Sequence, residues 1–339
     1  MLGGIFALLS AITFGFNNAS VRRGVLTGSV LQALAITVPF GVPIFLVVIV
    51  LFGDVSNIFG LPIRTLILLS LAGVIHFVFG RYCNYRSTKA IGGNLSGAWK
   101  QSSMIFALLL AAIFLDDYFT PLKVLGIALI VFGAMMTSAQ VAKNKAKAKA
   151  GKKNPSTQME QEPATQAFEP NYAEGYLFAI LSAFAYGLSP VLIRSGLAGL
   201  DMAMSVVGGL ISYTAAAVVV GLILLLPGQW RHVRSIEKTS VKWFSLAAVL
   251  VGMSQMFRYI ALSMAPVSVV TPIQSTSALF RVLFGWILNK EYEVFGAWVI
   301  GGAVVSMLGV LSLVVSLEVV QQFLPLSDTV VKILSSRWP

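Results

Sequence analysis

Residues Phe6 to Gly15 read FALLSAITFG, and residues Phe178 to Gly187 read FAILSAFAYG. Gly3 precedes the first block and Gly175 the second. Arg22 and Gly24 follow the first, Arg194 and Gly196 the second. Every pair is offset by 172 residues. A match of this length and order is improbable by chance even in apolar sequence, so one unit occurs twice. Looser echoes run down the rest of each copy. Arg81-Tyr82 matches Arg258-Tyr259, Gln101-Ser102 matches Gln274-Ser275, and Asp117-Tyr118 matches Glu291-Tyr292. Each copy closes on glycines seven apart, Gly126/Gly133 and Gly302/Gly309.

Between the copies lies the one long polar run, which starts with the lysine-rich KNKAKAKAGKK and continues in Glu, Gln, Pro and Thr. Few of these residues can join a core, so the run reads as a mobile linker. The expected organisation is a first unit over 1–141, a linker over 142–174, a second unit over 175–317, and a tail over 318–339. The tail is too polar to span a bilayer. Its apolar residues recur at helical spacing, as in an interfacial helix, and a frayed terminus fits equally well.

Only 11% of the 339 residues are charged, 57% are hydrophobic, and the mean hydropathy is +0.85. Soluble domains carry about 25% charged residues. This chain has too little polar surface to cover a water-soluble globule and reads as an integral membrane protein. The net charge of +11 is concentrated in the linker at Lys143, Lys145, Lys147, Lys149, Lys152 and Lys153. Such a cluster suits anionic lipid headgroups, and no soluble domain presents a basic face to nucleic acid. Cys83 stands alone, which excludes an intrachain disulfide and a cysteine metal cluster. No basic residue precedes the first apolar run, so this segment is expected to stay as a membrane helix and not to act as a signal peptide.

Crossing the hydrocarbon takes about 20 apolar residues as helix. Ten stretches qualify: 2–21, 29–52, 64–86, 92–115 and 120–141 before the linker, then 175–193, 203–227, 241–264, 268–288 and 294–317. They are spans 1 to 10 below. Five crossings are an odd number, so the second copy must enter from the opposite side. The predicted fold is all-α, with ten transmembrane helices in two inverted five-helix repeats around a central cavity. Inverted repeats with a midplane site are a recurring build of secondary transporters.

The tandem five-span units, the opening G-x2-F-A-x-L-S-A-x3-G pattern, and the ALSMAP stretch (Ala261 to Pro266) before a Pro-containing ninth span resemble EamA-type members of the drug/metabolite transporter superfamily. The acidic-aromatic turn before the last span of each half fits as well. The resemblance covers nearly the whole chain outside linker and tail. It implies that spans 1–4 and 6–9 surround the cavity, with spans 5 and 10 at the periphery. It does not imply a substrate. Most Lys and Arg, the linker lysines included, fall on one face, which places the linker in the cytoplasm and both termini outside. Family members more usually have both ends cytoplasmic, and the sequence leaves this conflict open. The expected home is a bacterial cytoplasmic membrane.

Ionisable residues inside a span are costly and tend to face a cavity or a partner. Span 3 carries His76, Arg81, Tyr82 and Tyr85, and span 8 carries Gln255, Arg258 and Tyr259. The repeat-related Arg81 and Arg258 are the sharpest candidates for the site, reaching the cavity from opposite leaflets. Snorkelling to headgroups is their alternative role. Span 4 opens with Trp99, Lys100 and Gln101; span 9 carries Gln274, Ser275 and Arg281. Pro272 frees a backbone carbonyl and is the candidate hinge. His76 is the candidate proton-coupling group, though a structural role is the commoner fate of such a histidine. The tyrosines and Trp99 offer rings to a planar substrate, while packing is the commoner use. No acidic residue sits in the middle of a predicted span, and the interior offers Arg and Lys. A carboxylate, phosphate or zwitterion suits such an interior better than a cationic drug.

The expected function is secondary transport of a small polar, anionic or zwitterionic metabolite such as an amino acid, directed outward, by alternating access. The alternative is a flippase or transporter of lipid-linked phosphate or sugar-phosphate on the same fold. Enzyme activity has no support: there are no paired membrane carboxylates, no H-E-x-x-H and no nucleotide motif. No cofactor or metal is implied. The partners are the bilayer and a small-molecule substrate. Nothing in the sequence sets the oligomeric state.

Overall fold

The computed structural model describes residues 2–314 apart from 53–60, 115–119, 141–169 and single positions at 122, 123, 127, 134, 138, 201, 266 and 294. The linker lysines, the tail, and the predicted loop acids Asp54, Asp116, Asp117 and Asp201 lie outside the described residues.

Among the described residues the chain is helical, with no strand. The first copy contains α1 (Leu2–Gly24), α2 (Val30–Thr37), α3 (Gly41–Phe52) and α4 (Ile63–Gly73). A π-helical turn (Val74–Gly80) leads into α5 (Arg81–Ile91), followed by α6 (Gly93–Lys100), α7 (Ser103–Phe114) and α8 (Val124–Thr137). The second contains α9 (Tyr172–Gly196), α10 (Met202–Leu224), α11 (Gln229–Arg234), α12 (Lys238–Met264), α13 (Val267–Ser275), α14 (Ser277–Asn289) and α15 (Ala297–Val314). Helix occurs in each of the ten apolar stretches. Six helical stretches are long and apolar enough to cross a membrane: Leu2–Gly24, Val30–Val50, Ile63–Ile91, Tyr172–Gly196, Met204–Leu224 and Lys238–Met264.

The surface is that of a membrane protein. Large apolar side chains such as Val50, Ile63, Ile113 and Leu225 are exposed, while Arg22, Arg81, Asn84, Gln255 and Arg258 are buried. Water would reverse that sorting; lipid favours it. The chain is a multi-pass integral membrane protein.

Local sequence explains several helix ends. Ser29 and Gln32 form a capping box at the start of α2. Pro39, which lacks an N–H, falls in the break between α2 and α3. Gly92 turns the chain from α5 into α6 at a φ of 83°, a value that favours glycine. Asn171 caps α9 through the Glu174 N–H, so helix begins inside the stretch expected to be linker.

The copies interlock. Helix α1 packs along α12 and α14, and in matching fashion α9 packs along α5 and α7. Ser10 and Ser254 exchange hydroxyl-to-carbonyl bonds of 2.8 and 2.9 Å. Ser182, the repeat mate of Ser10, donates to the Gly80 carbonyl at 3.1 Å. Glycines permit these approaches. A Cβ on Gly15 would strike Phe280, and one on its mate Gly187 would strike Phe106. In α8 and α15, Gly133 faces Gly302 and Gly126 faces Gly309. Residue numbers rise along one helix as they fall along the other, so these repeat-related helices run antiparallel.

Two ends of the bundle follow from the contacts. At the linker end Asn171 N–H bonds the Ala90 carbonyl, Arg86 pairs with Glu174, and Thr27 meets Ser240. At the far end Gly3 abuts Ala265, and Gly196 abuts Leu69.

Candidate substrate cavity

A cavity of about 80 Å³ lies between the copies. Its walls come from α1, the π-turn, α6, α7, α9, α12, α13 and α14. Three of the contributing stretches are irregular. Span 3 widens into the π-turn at His76; such turns recur at functional sites. Span 4 breaks at Gln101-Ser102 between α6 and α7, and span 9 breaks at Thr276 between α13 and α14. The second break falls one residue past Gln274-Ser275, the repeat mates of the first. Non-helical backbone at membrane depth is tolerated where it lines a cavity. Pro272 falls within α13, one turn ahead of the second break.

Lys100, Arg258 and Arg281 all line the cavity and are 8%, 4% and 7% exposed. Lys100 Nζ donates to Asn84 Oδ1. Arg258 Nη1 lies 3.1 and 3.2 Å from the ring nitrogens of His76 and 3.4 Å from Gln255 Oε1. A guanidinium only donates, so the nitrogen of His76 that it bonds acts as acceptor. The Nε of Arg258 and that of Arg281 are buried without a hydrogen-bond partner, as is Gln101 Oε1. Gln274 Nε2 donates to Ser10 Oγ at 2.7 Å, and Ser275 Oγ to the Thr271 carbonyl at 3.0 Å. Among the described residues that line the cavity, none is acidic.

The sequence-based candidates divide. His76, Lys100, Gln101, Gln255, Arg258, Gln274, Ser275 and Arg281 line the cavity; Arg81, Tyr82, Tyr85, Trp99 and Tyr259 are not among its lining residues. Arg81 donates to the Thr37 carbonyl at 2.9 Å and to Tyr213 Oη at 3.0 Å, and it stacks on Phe77. The expected symmetric arginine pair is thus split, with Arg258 on the cavity and Arg81 bracing helices. Tyr85 bonds Thr37, Trp99 packs on Tyr176, and Tyr259 sits edge-on to Phe45. Tyr82 accepts from Arg86 Nη1 at 2.7 Å in a second, open pocket at the linker end.

Phe14, Tyr186, Gly97 and Ala278 are among the lining residues that the sequence did not single out. Phe14 and Tyr186 are repeat mates, and their rings meet edge-on at 6.4 Å. Both stand directly before the repeated glycine of the opening motif, so the signal was present. At Gly97 a Cβ would collide with the Arg281 guanidinium.

Below the cavity, Glu293 accepts from the Gly93 and Asn94 N–H groups at 2.6 and 2.9 Å and pairs with buried Arg22 at 3.5 Å. A carboxylate here satisfies open N–H groups of α6 and complements its dipole. Arg22 also donates to the Thr88 and Tyr292 carbonyls. Its repeat mate Arg194 donates likewise to Leu262 and Ser263 at the end of α12.

The family model described as "EamA-like transporter family" matches residues 1–139 and again 173–315. The chain belongs to the EamA-like transporter family. The two matches coincide with the two copies seen in the sequence. A solved structure described only as "Crystal structure of protein" is similar over 92% of this chain and 94% of that one, with a TM-score of 0.59 at 16% identity. At that identity the likeness concerns the fold alone. Among curated proteins none matches the chain in sequence. This EamA-like chain is therefore a membrane transporter by family, with a fold already seen in crystals.

Proposed function

We propose that this protein crosses the membrane ten times, as two inverted five-helix repeats. In this reading it is a secondary exporter of a small anionic or zwitterionic metabolite, working by alternating access. The carrying observation is the cavity between the copies, lined by Lys100, Arg258 and Arg281 and, among the described residues, by no acid. The antiparallel pairing of α8 with α15 supports the inversion. An anion in the cavity would meet fixed donors and a low dielectric, where charge-assisted bonds are strongest.

Cross-links between the copies gather at the linker end: Arg22 with Glu293, Arg86 with Glu174, Ser29 with His232, and Asn289 with the Ala19 carbonyl. We read this as the state closed at the linker end. The opposite state would break these bonds while contacts at the far end form. The breaks in spans 4 and 9, with Pro272 beside the second, are where the helices would bend.

The test is thiol accessibility. Ser277→Cys, in a Cys83→Ala background, places one thiol on the cavity wall. Impermeant maleimide should label it from one side without substrate, and substrate should change that side's rate. Equal labelling from both sides at once describes a channel and contradicts alternating access.

A further inference from the structure

We infer that the cavity selects a dianion, carrying two carboxylates or a phosphate, over monoanions and zwitterions. This rests on reading the cavity as the transport site. Lys100, Arg258 and Arg281 are each more than nine-tenths buried. Asn84 faces Lys100, while His76 and Gln255 face Arg258. The charge of Glu293 also reaches Lys100 and Arg281, but that carboxylate is held by Arg22 and the α6 amides. Arg22 and Glu293 balance each other, which leaves the permanently charged guanidiniums of Arg258 and Arg281, with Lys100 beside them, around one small space.

Each unpaired cation at membrane depth is costly, and neighbouring cations repel. A dianion brings the two guanidiniums to neutrality. A monoanion leaves one of them uncompensated, and a zwitterion does the same and adds an ammonium. The donors also come from two directions. Arg258 lies on α12 near its far end, and Arg281 lies on α14 nearer the linker end. Each keeps a buried Nε–H without a partner. Two open donors on two different helices of the cavity wall fit two anionic groups on one solute.

Succinate, inorganic phosphate, propionate and alanine, at matched ionic strength, are the probes. Thermal stabilisation of the full chain in detergent gives binding, and inhibition of uptake in proteoliposomes gives site occupancy. Succinate or phosphate should act at concentrations at least about tenfold below propionate, the size of one charged hydrogen bond, and alanine weakest of all. Which of the two acts at the lower concentration separates a dicarboxylate site from a phosphate site. Arg281→Gln should narrow the preference over propionate about tenfold; Lys100→Met is the second variant should the first misfold. Arg64→Gln removes an exposed cation on α4 and should leave the order unchanged. Propionate or alanine matching the dianions overturns the inference and leaves the transport reading standing, as does stabilisation by none of the four. Dianion binding with no uptake of any solute would instead count against transport.

Discussion

The guanidinium of Arg281 occupies the space that a side chain at position 97 would enter, directly over Gly97. This contact joins α6 to α14, one helix from each copy, and sets where the charge sits in the cavity. Gly97→Ala should displace Arg281 at a cost of about 1–3 kcal/mol in overpacking. Substrate affinity should fall while the protein stays folded, and a KM rise with a melting temperature lowered by only a few degrees checks this.

Arg22 and Glu293 form an ion pair whose side chains are 1% and 3% exposed. Breaking a buried pair costs on the order of 3–5 kcal/mol because one charge is stranded. Glu293→Gln should therefore destabilise the linker-end closure. Raised maleimide labelling of a Ser277→Cys thiol from the linker side is the expected readout. Arg22→Met with Glu293→Gln should recover part of the melting temperature, since neither charge then remains.

Arg81 and Arg258 are equivalent in sequence and different in use. Arg81→Met should lower thermal stability by about 1.5–3 kcal/mol for each charged hydrogen bond lost to Thr37 and Tyr213. Arg258→Gln should leave the melting temperature nearly unchanged and depress transport. The two effects separate in one experiment that records unfolding and uptake on both variants.

Gly133 and Gly302 meet backbone to backbone between α8 and α15. Leucine at either position would force these helices apart. Close packing rather than hydrophobic burial holds helices together in lipid, so Gly302→Leu should reduce folded yield and melting temperature. Ligand affinity in the surviving folded fraction should stay at the wild-type value, as read by ligand-induced stabilisation, because neither helix lines the cavity.

The repeat, the apolar stretches and the two-copy organisation were legible in the sequence because each leaves a periodic trace. Lys100, Arg258 and Arg281 were legible because charge within a span is rare. Arg81 misled for a physical reason: its surroundings include Tyr213 and the Thr37 carbonyl, which come from α10 and α2, and no spacing within span 3 reveals them. The break at Gln101-Ser102 carries neither Gly nor Pro, so nothing local marks it, whereas Pro272 stands one turn ahead of the break at Thr276. Glu293 reads as a loop acid until the fold returns it to the start of α6. Phe14 and Tyr186 were quoted within the repeated motif, yet an aromatic in a membrane helix reads as packing until its partner across the cavity is seen.

In the proposed cycle an anion crosses through the cavity bounded by Arg258 and Arg281. Uptake of labelled succinate and of phosphate into proteoliposomes, by wild type, Arg258→Gln and Arg281→Gln side by side, decides whether it does. Saturable uptake of at least one of them by wild type, reduced about tenfold or more in both variants at equal reconstitution, is the predicted result. Undiminished uptake in both variants would contradict it.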